Sequence, residues 1–144
     1  MKGLRIRPAG ENDVPTLVTL AEKFMAKMAS MRKRMSMLRR AMMNPDYELL
    51  VAEFNGEIVG FIDRWDIYDL AEGAILSSVE NLYIIPRFRR RGMGGELLQK
   101  IVKSAKRKGA REIHVSTRFG NKPAIDLYEK HGFVKRNLQL EMEL

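Results

Sequence analysis

Residues 85–98, IPRFRRRGMGGELL in one-letter code, carry the densest chemistry in the chain. An apolar strand containing Leu82, Ile84 and Ile85 runs into Pro86, which stops it. Arg89, Arg90 and Arg91 follow, and then Gly92, Met93, Gly94 and Gly95 open an amphipathic helix. Glycines let a backbone approach a bulky anion. The first turn of a helix leaves N–H groups without acceptors, and its dipole adds partial positive charge there. The pattern therefore predicts a phosphate cradle, with the arginines as counter-charge. It is not a P-loop, because no Lys-Ser/Thr pair closes it. Nor is it the dinucleotide fingerprint, whose third glycine would fall where Leu97 stands.

The remaining pattern, Arg89-x-x-Gly92-x-Gly94, resembles the pyrophosphate loop of the GNAT N-acetyltransferase superfamily, Gln/Arg-x-x-Gly-x-Gly/Ala. Residues 121–133, NKPAIDLYEKHGF, resemble that superfamily's second signature, Asn-x-x-Ala-x-x-Leu-Tyr-x-x-x-Gly-Phe. The strand from Glu57 to Ile62 after an Asn55-Gly56 turn is similar to it as well, so the resemblance spans residue 4 to about residue 140. It implies an enzyme that takes acetyl-CoA as co-substrate. The acetyl group would pass directly to a primary amine, on a small molecule or a peptide N-terminus. The alternative is a basic, non-catalytic module on the same fold that binds coenzyme A or nucleic acid.

Such a transfer needs a donor against the thioester carbonyl, an uncharged amine, and a proton for the departing thiolate. By the resemblance, the backbone of Leu82, Tyr83 and Ile84 would pair with the pantetheine arm, and the N–H near Ile84 would face the carbonyl oxygen. Glu80 lies nine residues before Arg89, a spacing at which the family often carries a general base. Two-residue alternation puts it on the same face as Leu82 and Ile84, where a carboxylate is expected to be partly buried. It is read as the base, direct or through water, with an ion pair to a lysine or arginine as the alternative. Tyr128 matches the family's tyrosine near the cofactor sulfur. A phenol, ordinarily near pKa 10, can donate a proton at neutral pH; the alternative is a core aromatic. Asn121 could cap the last helix, touch the cofactor, or do both.

Composition bounds the rest. A chain of 144 residues fits one domain, 1–144, burying roughly 70% of its unfolded surface. Its 45% hydrophobic and 31% charged residues are ordinary for a soluble globular protein. No run approaches the ~18 apolar residues of a membrane span, so a cytoplasmic protein without a membrane partner is expected. The absence of cysteine excludes disulfides, thiolate metal sites and an acyl-cysteine intermediate. With only His114 and His131, no metal is expected. The net charge of +8 suits an anionic cofactor, and it leaves nucleic acid a less favoured partner. A homodimer stays open.

The elements that must position these residues follow from periodicity. Leu4 to Arg7 alternate as a first strand. An apolar stripe from Val14 through Leu17, Ala21, Phe24, Met28, Met31, Met35 and Leu38 to Met42 would make one helix of roughly 43 Å, longer than the domain. A break at Ala29-Ser30, with Ser30 as a second N-cap, gives two helices instead. The methionines between Met25 and Met43 read first as adaptable core packing; in the family, however, these helices wall the acceptor site, where the same methionines and arginines would make a pliable, basic wall. Leu49–Phe54 and Ile58–Trp65 form a hairpin on Asn55-Gly56. Asp66–Gly73 reads as an acidic loop and Ile75–Ile85 as the strand feeding the cradle. A helix runs from Met93 to a cap at Gly109. A strand at Ile113–Ser116, a helix at Lys122–Lys130 and a closing strand through Leu138, Leu140, Met142 and Leu144 complete the chain. The order β-α-α-β-β-β-α-β-α-β makes an α/β (α+β) fold, a mixed sheet of about six strands flanked by four helices, in agreement with the GNAT fold.

Overall fold

The computed structural model describes residues 1–24 and 29–144. Among them the order is β1 (Leu4–Pro8), α1 (Val14–Ala21), α2 (Met31–Met42), β2 (Tyr47–Phe54), β3 (Glu57–Asp69), β4 (Ala74–Ile84), α3 (Met93–Arg107), β5 (Ala110–Val115) and α4 (Lys122–Lys130). The strands form one sheet in the order β1-β2-β3-β4-β5. Neighbours are antiparallel except β4 and β5, which run parallel because α3 crosses between them.

Two expectations about strands are corrected. The sheet has five strands among the described residues, where about six were expected. The closing segment at Leu138–Leu144 is not a strand, and its apolar side chains are exposed. Alternation equips a segment to pair, but a neighbouring edge decides whether it does. The second correction lies at Asp66–Asp69, expected as loop. These residues extend β3, because Ile67 and Tyr68 find Leu76 and Ile75 across the ladder.

Both faces of the sheet are covered. On one, Leu50, Ala52, Val59, Ile62, Val79 and Ile84 pack against Met93, Leu97, Leu98 and Ile101 of α3 and Tyr128 of α4. Burying each large side chain of this kind contributes about 2 kcal/mol. On the other, Leu49, Val51, Phe61 and Tyr83 pack against Leu17 of α1, with Leu38 and Met42 of α2 partly buried. No residue of α2 is fully buried, so its methionine stripe is a half-covered wall. Met25 and Met28 lie outside the described residues.

Local chemistry sets the boundaries. Ser30 caps α2, accepting from the Lys33 N–H at 3.2 Å. Arg34 ties α2 to α1, donating to the Val18 carbonyl at 2.9 Å and to Glu22 at 2.7 Å. The hairpin turns on Asn55 and Gly56 with φ of 50° and 85°, the signs a type I′ turn needs. Arg64, 1% exposed, is neutralised by Glu48 and Asp66 and fastens the sheet beneath the C-terminal end of α3, where Ser104 donates to Glu48 at 2.8 Å.

Candidate active site

The site is built where β4 parts from β5. Their ladder runs from Ile75↔Ala110 to Val79↔Val115 and stops there, while β4 continues to Ile84. On its other side β4 stays paired with β3, but the register steps from Arg64↔Val79 to Asp63↔Asn81. Glu80 is the extra residue of that bulge. A bulge bends its strand and resets its alternation. Hence Val79 joins Leu82 and Ile84 on the α3 face.

The expected inward, partly buried position of Glu80 is therefore corrected. It is exposed, and its carboxylate accepts from the Ser78 hydroxyl at 2.6 Å. No ion pair to a lysine or arginine forms among the described residues.

The side chain that holds the bulge is Asp63, 6% exposed. Its Oδ1 accepts from the Asn81 backbone N–H at 2.8 Å, which takes a carboxylate where the regular ladder offers a carbonyl. Its Oδ2 accepts from the Tyr47 hydroxyl at 2.6 Å and from Asn81 Nδ2 at 3.0 Å. Burial pushes the Asp63 carboxyl above the usual carboxylate range, against the pull of those hydrogen bonds. Burial, and then the Asp63 charge, push the Tyr47 hydroxyl upward too.

Beyond the bulge, the Ile85 N–H bonds the Val59 carbonyl at 2.8 Å. In an antiparallel ladder the direction of these groups alternates, so the backbone groups of Leu82 and Ile84 face the gap left by β5. The Ile84 carbonyl there accepts from Arg89 Nε at 2.8 Å. Gly60 lets the strands close at this point, since a Cβ on it would lie 2.5 Å from the Tyr83 carbonyl oxygen.

The loop expected to cradle a phosphate turns at Arg90, whose φ of 61° is left-handed, and at Gly92, whose φ is 85°. The Glu96 N–H reaches the Gly92 carbonyl at 3.1 Å; the amides before it in α3 have no acceptor within the helix. The three arginines diverge. Arg89 folds back over the Tyr83 ring at 5.4 Å, and Arg91 lies over Phe54 at 4.9 Å and Phe88 at 5.4 Å. Arg90 makes no ion pair or hydrogen bond among the described residues. Met93, 1% exposed, points into the core and offers only its backbone.

The glycines are needed for different reasons. A Cβ at Gly92 would meet nothing within 4 Å, so only its backbone angle favours glycine. At Gly94 a Cβ would touch Leu127 at 3.5 Å, and at Gly95 it would press His131 at 3.2 Å. These two let α4 close onto α3, and His131 is held for that contact by its Nδ1 and the Leu127 carbonyl at 2.8 Å.

Tyr128 stands on α4, 9% exposed, in the core cluster with Ile84 and 5.7 Å from the Phe133 ring. Burial raises its phenol above the ordinary value, so it holds its proton at neutral pH. Asn121 is an exposed N-cap, accepting from the Ala124 N–H at 3.4 Å. On the opposite face a cavity of about 280 Å³ opens between α1, α2 and the sheet, lined by Leu17, Val18, Leu38, Leu49, Phe61 and Met37, with Lys33, Arg34 and Asn81 at its polar edge.

A model of the acetyltransferase (GNAT) family matches residues 16–133. The chain belongs to the GNAT acetyltransferase family. An N-alpha-acetyltransferase of Sulfurisphaera tokodaii is 36% identical over 97 residues, covering 61% of this chain and 58% of that protein. The thialysine N-epsilon-acetyltransferase of Mus musculus is 26% identical over 143 residues, covering 90% and 83%. Among solved structures, an aminoglycoside N-acetyltransferase in complex with CoA superposes with a TM-score of 0.86 at 17% identity, covering 98% of this chain and 94% of that one. The acetyltransferase assignment is thus firm, while these relatives' names carry three different acceptors.

Within this acetyltransferase, reading the sequence missed Tyr47, Asp63, Asn81 and Gly60. The signal for Asp63 was present: it is a carboxylate in the middle of the apolar run from Ile58 to Trp65.

Proposed function

We propose that this acetyltransferase moves the acetyl group of acetyl-CoA directly to the primary amine of a small molecule or peptide N-terminus. The observation supporting it best is the conjunction at the end of β4. The strand leaves β5 at Val79, and the next helix opens at Gly92 with its first amides unsatisfied and Arg90 unpaired among the described residues. These residues fit a pyrophosphate, which would take the amides of Met93 to Gly95 and the Arg90 charge. The gap beside Leu82 to Ile84 suits an extended pantetheine arm pairing with backbone groups.

In this reading the acceptor enters from the cavity between α1 and α2. Glu80 takes a proton from the ammonium form of the acceptor, directly or through water, and leaves an uncharged amine. Its nitrogen lone pair then forms the C–N bond at the thioester carbonyl carbon; as the C–S bond breaks, the nitrogen releases its surplus proton to solvent, and the Tyr128 phenol protonates the departing sulfur and regains a proton from solvent. With no cysteine in the chain, no acyl-thiol enzyme forms.

Titration calorimetry with acetyl-CoA, together with a thiol-release screen over amines, amino acids and N-terminal peptides, tests the reading. Gly92→Glu places a carboxylate in open space at the cradle, at a cost of about 1–2 kcal/mol for its left-handed backbone. Acetyl-CoA affinity should fall at least tenfold. Unchanged affinity in a folded variant would refute the cradle.

A further inference from the structure

The cavity between α1, α2 and the sheet has an apolar lining and a cationic edge. Leu17, Val18, Leu38, Leu49 and Phe61 line it, and among the described residues no aspartate or glutamate does. The two cations at the edge, Arg34 and Lys33, differ. Arg34 is neutralised, donating to Glu22 at 2.7 Å and to the Val18 carbonyl at 2.9 Å. Lys33 is exposed and makes no ion pair among the described residues. The edge therefore carries a positive charge that nothing described compensates.

Asn81 also lines the cavity, and Glu80, the residue before it, carries the carboxylate assigned above as the base. The volume of about 280 Å³ lies just below the roughly 300–1,000 Å³ typical of ligand pockets. It suits one compact apolar group. A polyamine would bring a second ammonium to an edge that offers Lys33 and no carboxylate, and like charges placed together are penalised. A carboxylate at the same edge meets a free ammonium instead.

Resting on the acetyl transfer proposed above, we propose that the acceptor is a free α-amino acid with an apolar side chain, of the size of leucine, methionine or phenylalanine. The side chain fills the space among Leu17, Leu49 and Phe61, where each carbon taken from water adds to binding. The α-amine lies at the Glu80–Asn81 end, and the α-carboxylate faces Lys33. The C–S bond of acetyl-CoA breaks as the C–N bond to the α-nitrogen forms. The α-ammonium loses two protons; the net balance leaves one on the coenzyme A sulfur and one in solvent. The products are an N-acetyl amino acid and coenzyme A.

Titration calorimetry with L-leucine, on the protein saturated with coenzyme A, follows binding without turnover. Leucine should bind, and 3-methylbutylamine, which is leucine without its carboxylate, should bind about fivefold more weakly. In thiol-release assays, alanine should show a kcat/KM lower than that of leucine by roughly tenfold or more. Lys33→Met should raise the leucine KM about fivefold and move that of 3-methylbutylamine by less than about twofold. Lys33→Glu should reverse the preference and favour 1,5-diaminopentane over leucine. Lys33 is exposed, so the melting temperature should hold in both variants. Leucine that fails to bind, or binds no tighter than 3-methylbutylamine, overturns the proposal. A leucine KM unmoved by Lys33→Met overturns it too, as does a diamine or a peptide N-terminus as the best acceptor of the wild type. In those cases thiol release with some other amine leaves acetyl transfer in place, whereas no acetyl-CoA binding and no thiol release with any amine removes both.

Discussion

Removing the Asp63 carboxylate should release the bulge that shapes the cleft. Asp63→Ala leaves the Tyr47 hydroxyl and the Asn81 N–H without the acceptors now at 2.6 and 2.8 Å. Both residues are half-buried, and an orphaned polar group in such a place costs about 1–3 kcal/mol. The sum for the two groups, about 2–6 kcal/mol, is a large part of the roughly 5–15 kcal/mol that holds a domain of this kind. Urea unfolding at neutral pH measures it. Acetyl-CoA affinity should drop roughly tenfold, since Asn81 is freed to rejoin the ladder and Leu82 and Ile84 shift with it. Asp63→Asn is the control: its oxygen still accepts from Asn81 and its other terminus can turn toward Tyr47, so it should stay within ~1 kcal/mol of wild type. The two also differ from wild type in pH dependence. Burial holds the folded Asp63 pKa above its ordinary value, so the folded state binds this proton more tightly than the unfolded chain does. The stability linked to this group is full below about pH 4 and is lost as pH rises through the raised value. The asparagine variant cannot titrate at this position and lacks that slope. An alanine variant within about 1 kcal/mol of wild type, or an asparagine variant as damaged as the alanine one, would refute the clamp.

Glu80→Gln should lower kcat and flatten the acidic limb of the pH–rate profile while acetyl-CoA affinity, by calorimetry, stays near wild type. Because Glu80 is exposed and its carboxylate bonds Ser78 on its own strand, the melting temperature should not move; full activity at neutral pH would remove it from the reaction. Tyr128→Phe keeps the ring in its core contact with Phe133 and should cost about 10²–10⁴-fold in kcat if the phenol is the acid. A lost neutral hydrogen bond alone would cost only about tenfold, and steady-state kinetics separates the two.

What the sequence made legible has a short physical range. The glycine-led start of α3 could be read because glycine angles and helix amides are local properties of residues 89–96. The Ser30 cap and the Lys122–Lys130 helix could be read for the same reason. The β2–β3 hairpin followed from the two residues of its turn. The start of β5 at Ala110 and the extension of β3 to Asp69 were missed, since their partners across the sheet, and not their own composition, make them strands. The fate of the last segment was hidden likewise: Leu138 to Leu144 alternate as a strand would, but alternation carries no information about which edge is free.

Glu80 shows why the site itself resists such reading. Its expected direction came from counting in twos back from Ile84, and the count fails because one residue is inserted at that position. The insertion is stabilised through the neighbouring Asn81 by Asp63 of β3, which Tyr47 of β2 holds in turn. Both of those residues are remote from Glu80 in the chain, and nothing in the run from Ser77 to Ile84 marks the bulge. Yet the ladder to β5 stops at that same point. There Val115, the last residue of β5, meets Val79, so the residue that defeats the alternation also begins the stretch of β4 that has no partner on its β5 side.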